Sequence, residues 1–116
     1  MKIAITGSNG FVGQYLMEKL RDCNVVTINR SEGLDLTKKD TLNSVPSFDT
    51  LVHLAANTSI PASYNNPQEF YNNNIIGTLN ALELCRKHNA AFIFLSTAYV
   101  YGEPQHLPVS ENNFLE

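Results

Sequence analysis

Residues 6–13 form a glycine-rich stretch, Thr6-Gly7-Ser8-Asn9-Gly10-Phe11-Val12-Gly13. It follows a short apolar run at residues 2–6 and opens a segment, residues 11–21, that is predicted to be a helix. The helical spacing of Phe11, Val12, Leu16 and Leu20 assigns them to its apolar face. Such a turn points free backbone N–H groups and the helix dipole at an anion. Gly7 allows the tight turn, Gly10 lets a pyrophosphate approach the backbone, and Gly13 lets helix and strand pack closely. The stretch therefore predicts a pyrophosphate-binding turn, the alternative being a glycine-rich turn without a ligand.

Strand and helix patterns alternate along the rest of the chain. Apolar or β-branched runs predict further strands at residues 24–29, 49–55 and 90–95, the last two buried on both faces. Helices are predicted at residues 38–44 and 67–88, and the tail from Gly102 onward is predicted to be loop. Near-continuous apolar strands separated by helices indicate a parallel sheet covered on both faces. We therefore predict α/β architecture, a Rossmann-type doubly wound parallel sheet that forms a single domain over residues 1–116.

The composition excludes several other classes of protein. The net charge of -3 gives no basic surface for nucleic acid, and no apolar run is long enough to cross a membrane. The first residues enter a strand pattern at once, so we expect no signal peptide. Cys23 and Cys85 are expected to be reduced, packed thiols of a cytoplasmic protein, and no metal-ligand spacing is present.

Several segments in matching order resemble the extended short-chain dehydrogenase/reductase family, whose members act largely on nucleotide sugars. The glycine turn has that family's Gly-x-x-Gly-x-x-Gly spacing. The other matching segments are Asp35-Leu36, residues 49–56, residues 66–80, the Ser96-Thr97-Ala98-Tyr99-Val100-Tyr101-Gly102 stretch, and residues 107–111. The resemblance implies an NAD or NADP cofactor, a nucleotide-sugar substrate for the full-length protein, and a Rossmann domain that is C-terminally incomplete here.

The cofactor-binding residues follow partly from the turn and partly from the resemblance. In the turn they are the three glycines, the backbone at Phe11 and Val12, and the side chains of Ser8 and Asn9. The resemblance implies that Asp35 and Leu36 contact the adenine. It also implies that the strand end lines the cofactor, at Leu54, Ala55 and Ala56. Asn74 is implied to contact the active site, and local hydrogen bonding within its helix is the alternative.

The choice between NAD and NADP depends on the end of the second strand. A carboxylate at the Asn29 position would bind the ribose hydroxyls and select NAD, but the chain has Asn29 followed by Arg30. An arginine fork suits a 2′-phosphate, so we favour NADP slightly. The alternative is that Arg30 is only a solvated loop residue.

Thr97 is the candidate catalytic residue. It follows a predicted strand, at the edge where α/β sheets bind their ligands. The resemblance implies that its hydroxyl bonds the reacting carbinol or carbonyl oxygen, whereas the alternative is a threonine that closes a strand. The family's dehydratases have an Asp-Glu pair after this position, and Ala98-Tyr99 cannot replace it. An epimerase or a 4-keto-sugar reductase therefore remains, and the short region after Arg30 favours the reductase slightly.

The family's chemistry also needs a tyrosine with a lysine four residues later on a helix beyond Thr97. The chain ends at Glu116, before such a helix, and the Tyr15/Lys19 pair is rejected because it lies on the first helix. We therefore expect this chain alone to be inactive. A non-catalytic NAD(P)-binding module and an inactive fragment are the alternatives to an enzyme portion. An unpaired side on the strand at residues 90–95 would favour a homo-oligomer or instability.

Overall fold

The computed structural model describes residues 1–104 and 106–115. Four parallel strands form one sheet in the order β2-β1-β3-β4. Their bounds are Lys2–Thr6 for β1, Asn24–Ile28 for β2, Thr50–His53 for β3 and Ala91–Phe94 for β4. Ile3 of β1 pairs with Val25 of β2 on one side and with Thr50 of β3 on the other. The predicted parallel Rossmann-like sheet is confirmed, and β1 lies in its interior, so the turn after β1 lies between two neighbouring strand ends.

Helices connect these strands. Helix α1 spans Phe11–Lys19 and ends two residues before the predicted end, and α2 spans Ile60–Asn65. The long helix predicted at residues 67–88 is continuous but changes pitch. It consists of α3 (Pro67–Tyr71), a π-helical turn (Asn72–Ile76) and α4 (Gly77–His88). Residues 102–104 and 106–115 contain no helix or strand, in agreement with the predicted loop.

Short 3-10 helices replace α-helices between β2 and β3. The predicted helix at residues 38–44 is a 3-10 helix, Lys39–Ser44. The hydroxyl of Thr41 donates to the carbonyl of Lys38 at 2.8 Å, and such side-chain bonds compete with regular helix geometry. A second 3-10 turn, Arg30–Glu32, directly follows β2 and ends at Gly33. This confirms the short connection predicted between β2 and Asp35.

The hydrophobic core packs α4 against the sheet and against the connection after β2. It contains Ala4, Ile28, Leu36, Leu42, Val45, Phe48, Leu51, Ala81, Leu84 and Cys85. Gly77 brings the long helix close to this connection, since a Cβ there would lie 3.5 Å from Cβ of Leu36. The core therefore fixes the connection after β2 relative to the long helix.

Three predictions about burial are wrong. Strand β4 was predicted to be buried, but Ile93 and Phe94 are more than half exposed. Within the described residues β4 pairs only with β3 and is an edge strand. Since helices cover the faces of a parallel sheet, the exposure means that the helical layers leave these side chains open. The edge position of β4 was expected.

Phe11 and Val12 were assigned to the apolar face of α1, yet both are exposed. Cys23 was expected to be packed, but it is exposed, whereas Cys85 is buried.

Candidate functional site

Two adjoining cavities lie at the carboxyl edge of the sheet. The smaller has a volume of about 350 Å³ and the larger about 840 Å³. Both are lined by Gly7 and by residues 55–57, which follow β3. The two cavities therefore form one cleft, and the glycine turn lies at its middle. This is the edge at which open α/β sheets bind ligands.

The glycine turn owes its shape to backbone contacts that only glycine permits. Gly7 has a φ of +70°, and a Cβ there would lie 2.8 Å from the backbone N of Ala55. A Cβ on Gly13 would overlap the backbone of the turn, 2.6 Å from Cα of Ser8. The N–H of Gly10 donates to the carbonyl of Gly7 at 3.0 Å, and α1 begins after Gly10 without a side-chain cap. The first N–H groups of α1 are thus free for an anion in the cleft.

The smaller cavity is lined by the polar side chains that follow β2. The amide of Asn29 donates to the hydroxyl of Ser8 at 2.7 Å, and both side chains are buried. Arg30 lines the cavity, donates to the side-chain oxygen of Asn73, and lies 3.5 Å from a carboxylate oxygen of Asp35. These two partners place the Arg30 guanidinium at the cavity wall, while its side chain stays 57% exposed, as the solvated-loop alternative expects.

Asp35 does not line either cavity, although it was predicted to contact adenine. Its carboxylate accepts hydrogen bonds from the N–H of Thr37 at 2.9 Å and from the Thr37 hydroxyl at 2.8 Å. Burial alone would raise the pKa of Asp35, but these hydrogen bonds and the charges of Arg30 and Lys38 lower it below the usual value. Asp35 therefore acts as a fixed anion beside Arg30, and the adjacent Leu36 lines the cavity.

The larger cavity brings Thr97 to the same cleft as the glycine turn. Gly10, Phe11 and Thr97 all line it. Thr97 precedes a 3-10 helix, Ala98–Tyr101, and its hydroxyl accepts a hydrogen bond from the N–H of Tyr99 at 3.3 Å. That bond leaves the hydroxyl proton of Thr97 available to a ligand.

Asn74 lines the larger cavity, but its side chain bonds to the protein itself. Its amide oxygen accepts from the N–H of Asn57 at 2.8 Å, and its amide nitrogen donates to the carbonyl of Asn57 at 2.9 Å. This is a bidentate clasp between the π-helical turn and the loop after β3. The alternative of local bonding within its own helix is therefore wrong, because the side chain bonds across to the loop after β3 while Asn74 lines the larger cavity.

The structure places nearly all of the predicted residues on the cleft. Gly7, Asn9, Asn29, Arg30, Leu36, Ala55 and Ala56 line the smaller cavity; Gly7, Gly10, Phe11, Val12, Gly13, Leu54, Ala55, Ala56, Asn74 and Thr97 line the larger. The exceptions are Asp35 and the buried Ser8, which positions Asn29.

Sequence reasoning missed Ser31, Asn57 and Asn73 in the smaller cavity. Asn57 could have been found, since it directly follows Ala55-Ala56 at the end of β3. Ser31 is adjacent to Arg30, and its hydroxyl accepts from the amide of Asn9 at 3.1 Å. Asn73 carried no such signal, because its part in the site depends on a contact with Arg30. His53 and Thr78 in the larger cavity were also missed.

Neither a membrane span nor a metal cluster is found in the part of the chain that the structure describes. No helix there is both long and apolar enough to cross a bilayer. Within the same ranges, no three side chains of His, Cys, Asp or Glu are grouped as metal ligands would be.

A parallel α/β sheet with a glycine turn at the middle of a cleft defines a Rossmann-like class of protein. The sequence of residues 3–115 matches the NAD dependent epimerase/dehydratase family, and the chain belongs to this family. A UDP-glucose 4-epimerase from Pisum sativum is 32% identical over 142 residues, which cover 96% of this chain and 41% of the relative.

Solved structures agree with this assignment. A UDP-glucose 4-epimerase from Thermus thermophilus, in complex with NAD, aligns with a TM-score of 0.84 and 27% identity, covering all of this chain and 44% of that one. RMD from Pseudomonas aeruginosa, complexed with NADPH, aligns with a TM-score of 0.82 and 27% identity, covering 99% and 42%. The chain thus spans less than half of the length of these relatives.

Proposed function

We propose that this chain forms the cofactor-binding part of an NAD(P)-dependent enzyme that acts on a nucleotide sugar, as a 4-epimerase or a 4-keto-sugar reductase. The observation that carries the proposal is the single cleft, whose two cavities meet at Gly7 and Ala55. A dinucleotide has two nucleoside halves joined by a pyrophosphate, and a pyrophosphate at the Gly7–Gly10 turn would send one half into each cavity. The similarity to the pea epimerase supports the substrate class.

The smaller cavity suits the adenosine half. Leu36 and Ile28 give it an apolar wall, while Arg30 and Ser31 lie beside Asn29. We propose that Arg30 binds the 2′-phosphate of NADP, because Asp35 and Asn73 already hold its guanidinium at the wall. The NADPH complex of the similar RMD structure supports this reading, and the NAD complex of the Thermus epimerase supports the alternative.

The larger cavity suits the nicotinamide half and the sugar. When bound, the nicotinamide ring accepts or donates a hydride at the sugar carbon. We propose that Thr97 orients the reacting oxygen by donating its free hydroxyl proton to it. Ala98 and Tyr99 follow Thr97 and provide no carboxylate pair for water elimination, which favours epimerisation or reduction over dehydration.

A calorimetric titration with NADPH and then with NADH tests the cofactor site. Gly10→Val is expected to abolish binding, because a branched side chain would fill the place of the pyrophosphate beside the turn. Gly77→Ala is the matched control, since a Cβ there makes only ordinary contact at 3.5 Å from Cβ of Leu36. Unchanged affinity in a folded Gly10→Val variant would exclude the turn as the pyrophosphate site.

A second substitution tests the cofactor preference. Arg30→Ala is expected to weaken the binding of NADPH about tenfold or more, because a charge-assisted hydrogen bond to phosphate is lost. The affinity for NADH is expected to stay nearly unchanged. Arg21→Ala is the control, since Arg21 is exposed and pairs only with its neighbour Asp22 among the described contacts. An equal loss of affinity for NADPH and NADH would show that Arg30 does not bind the 2′-phosphate.

The enzyme proposal is tested on the full-length protein. Turnover of a UDP- or dTDP-linked sugar, followed by product analysis, distinguishes epimerisation from reduction of a 4-keto group. Thr97→Val is expected to lower kcat by about a hundredfold or more while cofactor affinity is kept, since only the orienting hydroxyl is removed. If a nicotinamide cofactor binds but no sugar nucleotide is turned over, the chain is a cofactor-binding module instead.

A further inference from the structure

His53 lies at the end of β3, with its buried side chain in the wall of the larger cavity. Both of its ring nitrogens have a hydroxyl partner. Nδ1 is 2.8 Å from Oγ1 of Thr6, at the end of β1, and Nε2 is 2.9 Å from Oγ1 of Thr78, on α4. One imidazole ring therefore bridges two strand ends and the long helix. Neither the glycine turn nor Thr97 accounts for this bridge.

The surrounding hydrogen bonds determine where the protons lie. The hydroxyl oxygen of Thr6 already accepts from the N–H groups of Leu54 and Ala55, both at 3.2 Å, so its own proton is directed to Nδ1 of His53. The hydroxyl of Thr78 donates to the carbonyl of Asn74 at 2.7 Å, so its oxygen accepts from His53. The network thus assigns a neutral imidazole that is protonated on Nε2.

The groups that face the ring favour this neutral state. β1 contributes the Thr6 hydroxyl and α4 contributes the Thr78 hydroxyl. β4 contributes the rings of Phe92 and Phe94, with centroids 5.6 and 6.1 Å from that of His53. None of these described contacts is charged, and burial lowers the pKa of His53. An imidazolium would place a second N–H against Thr6, whose oxygen already accepts two N–H groups.

The bridge continues to the wall that the two cavities share. Through the Thr6 hydroxyl it reaches the N–H groups of Leu54 and Ala55, of which that of Leu54 also donates to the backbone carbonyl of Thr6 at 3.2 Å. Through Thr78 it reaches the carbonyl of Asn74. The Asn74 side chain then clasps both backbone groups of Asn57. The segment from Leu54 to Asn57 is therefore held at its start and at its end by one hydrogen-bonded chain that passes through His53.

We propose that His53 is a positioning residue, which as the neutral Nε2–H tautomer holds the Leu54–Asn57 segment in the conformation that receives the cofactor. The proposal rests on the cofactor site proposed above. It differs from a packing role because it requires a donor and an acceptor in fixed places. An apolar ring of the same size would fill the space yet leave the hydroxyls of Thr6 and Thr78 unpaired.

The tautomer is measured by nitrogen-15 NMR of the histidine rings, without any cofactor. We expect an unprotonated Nδ1 and a protonated Nε2 for His53 at neutral pH. Single His88→Gln and His106→Gln variants assign the signals, because they leave that of His53 in place. An imidazolium, or a proton on Nδ1, would overturn the proposal whether or not the protein binds a nicotinamide cofactor.

The positioning role is measured with a matched pair at the far end of the bridge. Thr78→Val removes the hydroxyl but keeps the shape, and Thr78→Ser keeps the hydroxyl. We expect Thr78→Val to weaken NADPH binding about tenfold and Thr78→Ser to stay within about twofold of the parent, because only valine leaves Nε2–H without an acceptor. Amide hydrogen exchange at Asn57 is expected to quicken in Thr78→Val alone.

Equal affinities and equal exchange rates in the two variants would overturn the proposal. His53→Gln provides a rescue test, since glutamine can donate and accept over a similar reach, whereas His53→Phe cannot. If the parent protein binds neither cofactor, the proposed function fails. In that case the exchange rates and the tautomer still decide whether His53 holds the segment.

Discussion

Gly7→Ala tests the close contact between the glycine turn and the backbone of Ala55. The expected loss of stability follows from the φ angle of Gly7 and from two distances to Ala55. Gly7 has a φ of +70°, which costs an alanine about 1–2 kcal/mol. A Cβ would also lie 2.8 Å from N and 2.9 Å from Cα of Ala55. These are backbone atoms that cannot rotate away, and forcing them apart costs about 1–3 kcal/mol more. The expected destabilisation is about 2–5 kcal/mol in total.

Gly33→Ala is the matched control for this substitution. Gly33 has a φ of +79°, but a Cβ there would meet nothing within 4 Å. It therefore carries the conformational cost alone, about 1–2 kcal/mol. Urea unfolding of both variants, compared through their midpoints, should show Gly7→Ala to be less stable by about 1–3 kcal/mol. Equal midpoints would mean that a side chain at position 7 does not meet the backbone of Ala55, contrary to the close contact in the structure.

Other predictions concern pH, thiols and cofactor choice. Burial lowers the pKa of His53 in the folded state, so the neutral imidazole contributes fully to the free energy of unfolding above about pH 6.5. This contribution is lost as the pH falls through the pKa of the folded state. His53→Gln should therefore make the urea midpoint depend less on pH in this range. Iodoacetamide should modify Cys23 in the native protein and Cys85 only after unfolding, since Cys23 is exposed while burial raises the pKa of Cys85; equal rates would contradict the burial of Cys85. Asn29→Asp should move the cofactor preference toward NADH by about tenfold, and adding Glu32→Gln should enlarge that change, because the Glu32 carboxylate lies 3.3 Å from the Asn29 amide; calorimetry checks both.

The turn after β1 could be predicted from sequence because its cause is local. Only glycine fits the left-handed φ at Gly7 and the close contact at Gly13, so three glycines at fixed spacing determine the turn, the start of α1 and the position of the cleft. Helix α2 also has a local signal in the sequence. The side chain of Ser59 caps it by accepting from the N–H of Ala62, and proline stands near its start.

The exposure of β4 could not be read from its own residues. A run of apolar side chains indicates a buried strand only where neighbouring elements exist to cover it. The same limit applies to α1, where Phe11 and Val12 have the spacing of a core face but lie over the larger cavity. In both cases the sequence predicted the strand or the helix, whereas its burial depends on the elements that pack against it. The prediction of self-association rests on the unpaired side of the strand at residues 90–95, and sedimentation of the purified protein tests it.

The π-helical turn at Asn72–Ile76 shows how one irregularity serves both halves of the cleft. Sequence periodicity predicted an uninterrupted helix, since a π-turn changes the pitch without breaking the chain of helical residues. Two successive asparagines in this turn have different partners: Asn73 accepts from Arg30 at the smaller cavity, and Asn74 clasps Asn57 between the cavities. The helix continues into α4, whose Thr78 anchors His53. The long helix thus contacts Arg30 at the smaller cavity, Asn57 between the cavities, and His53. A change in the pitch of the π-helical turn would therefore disturb all three contacts together.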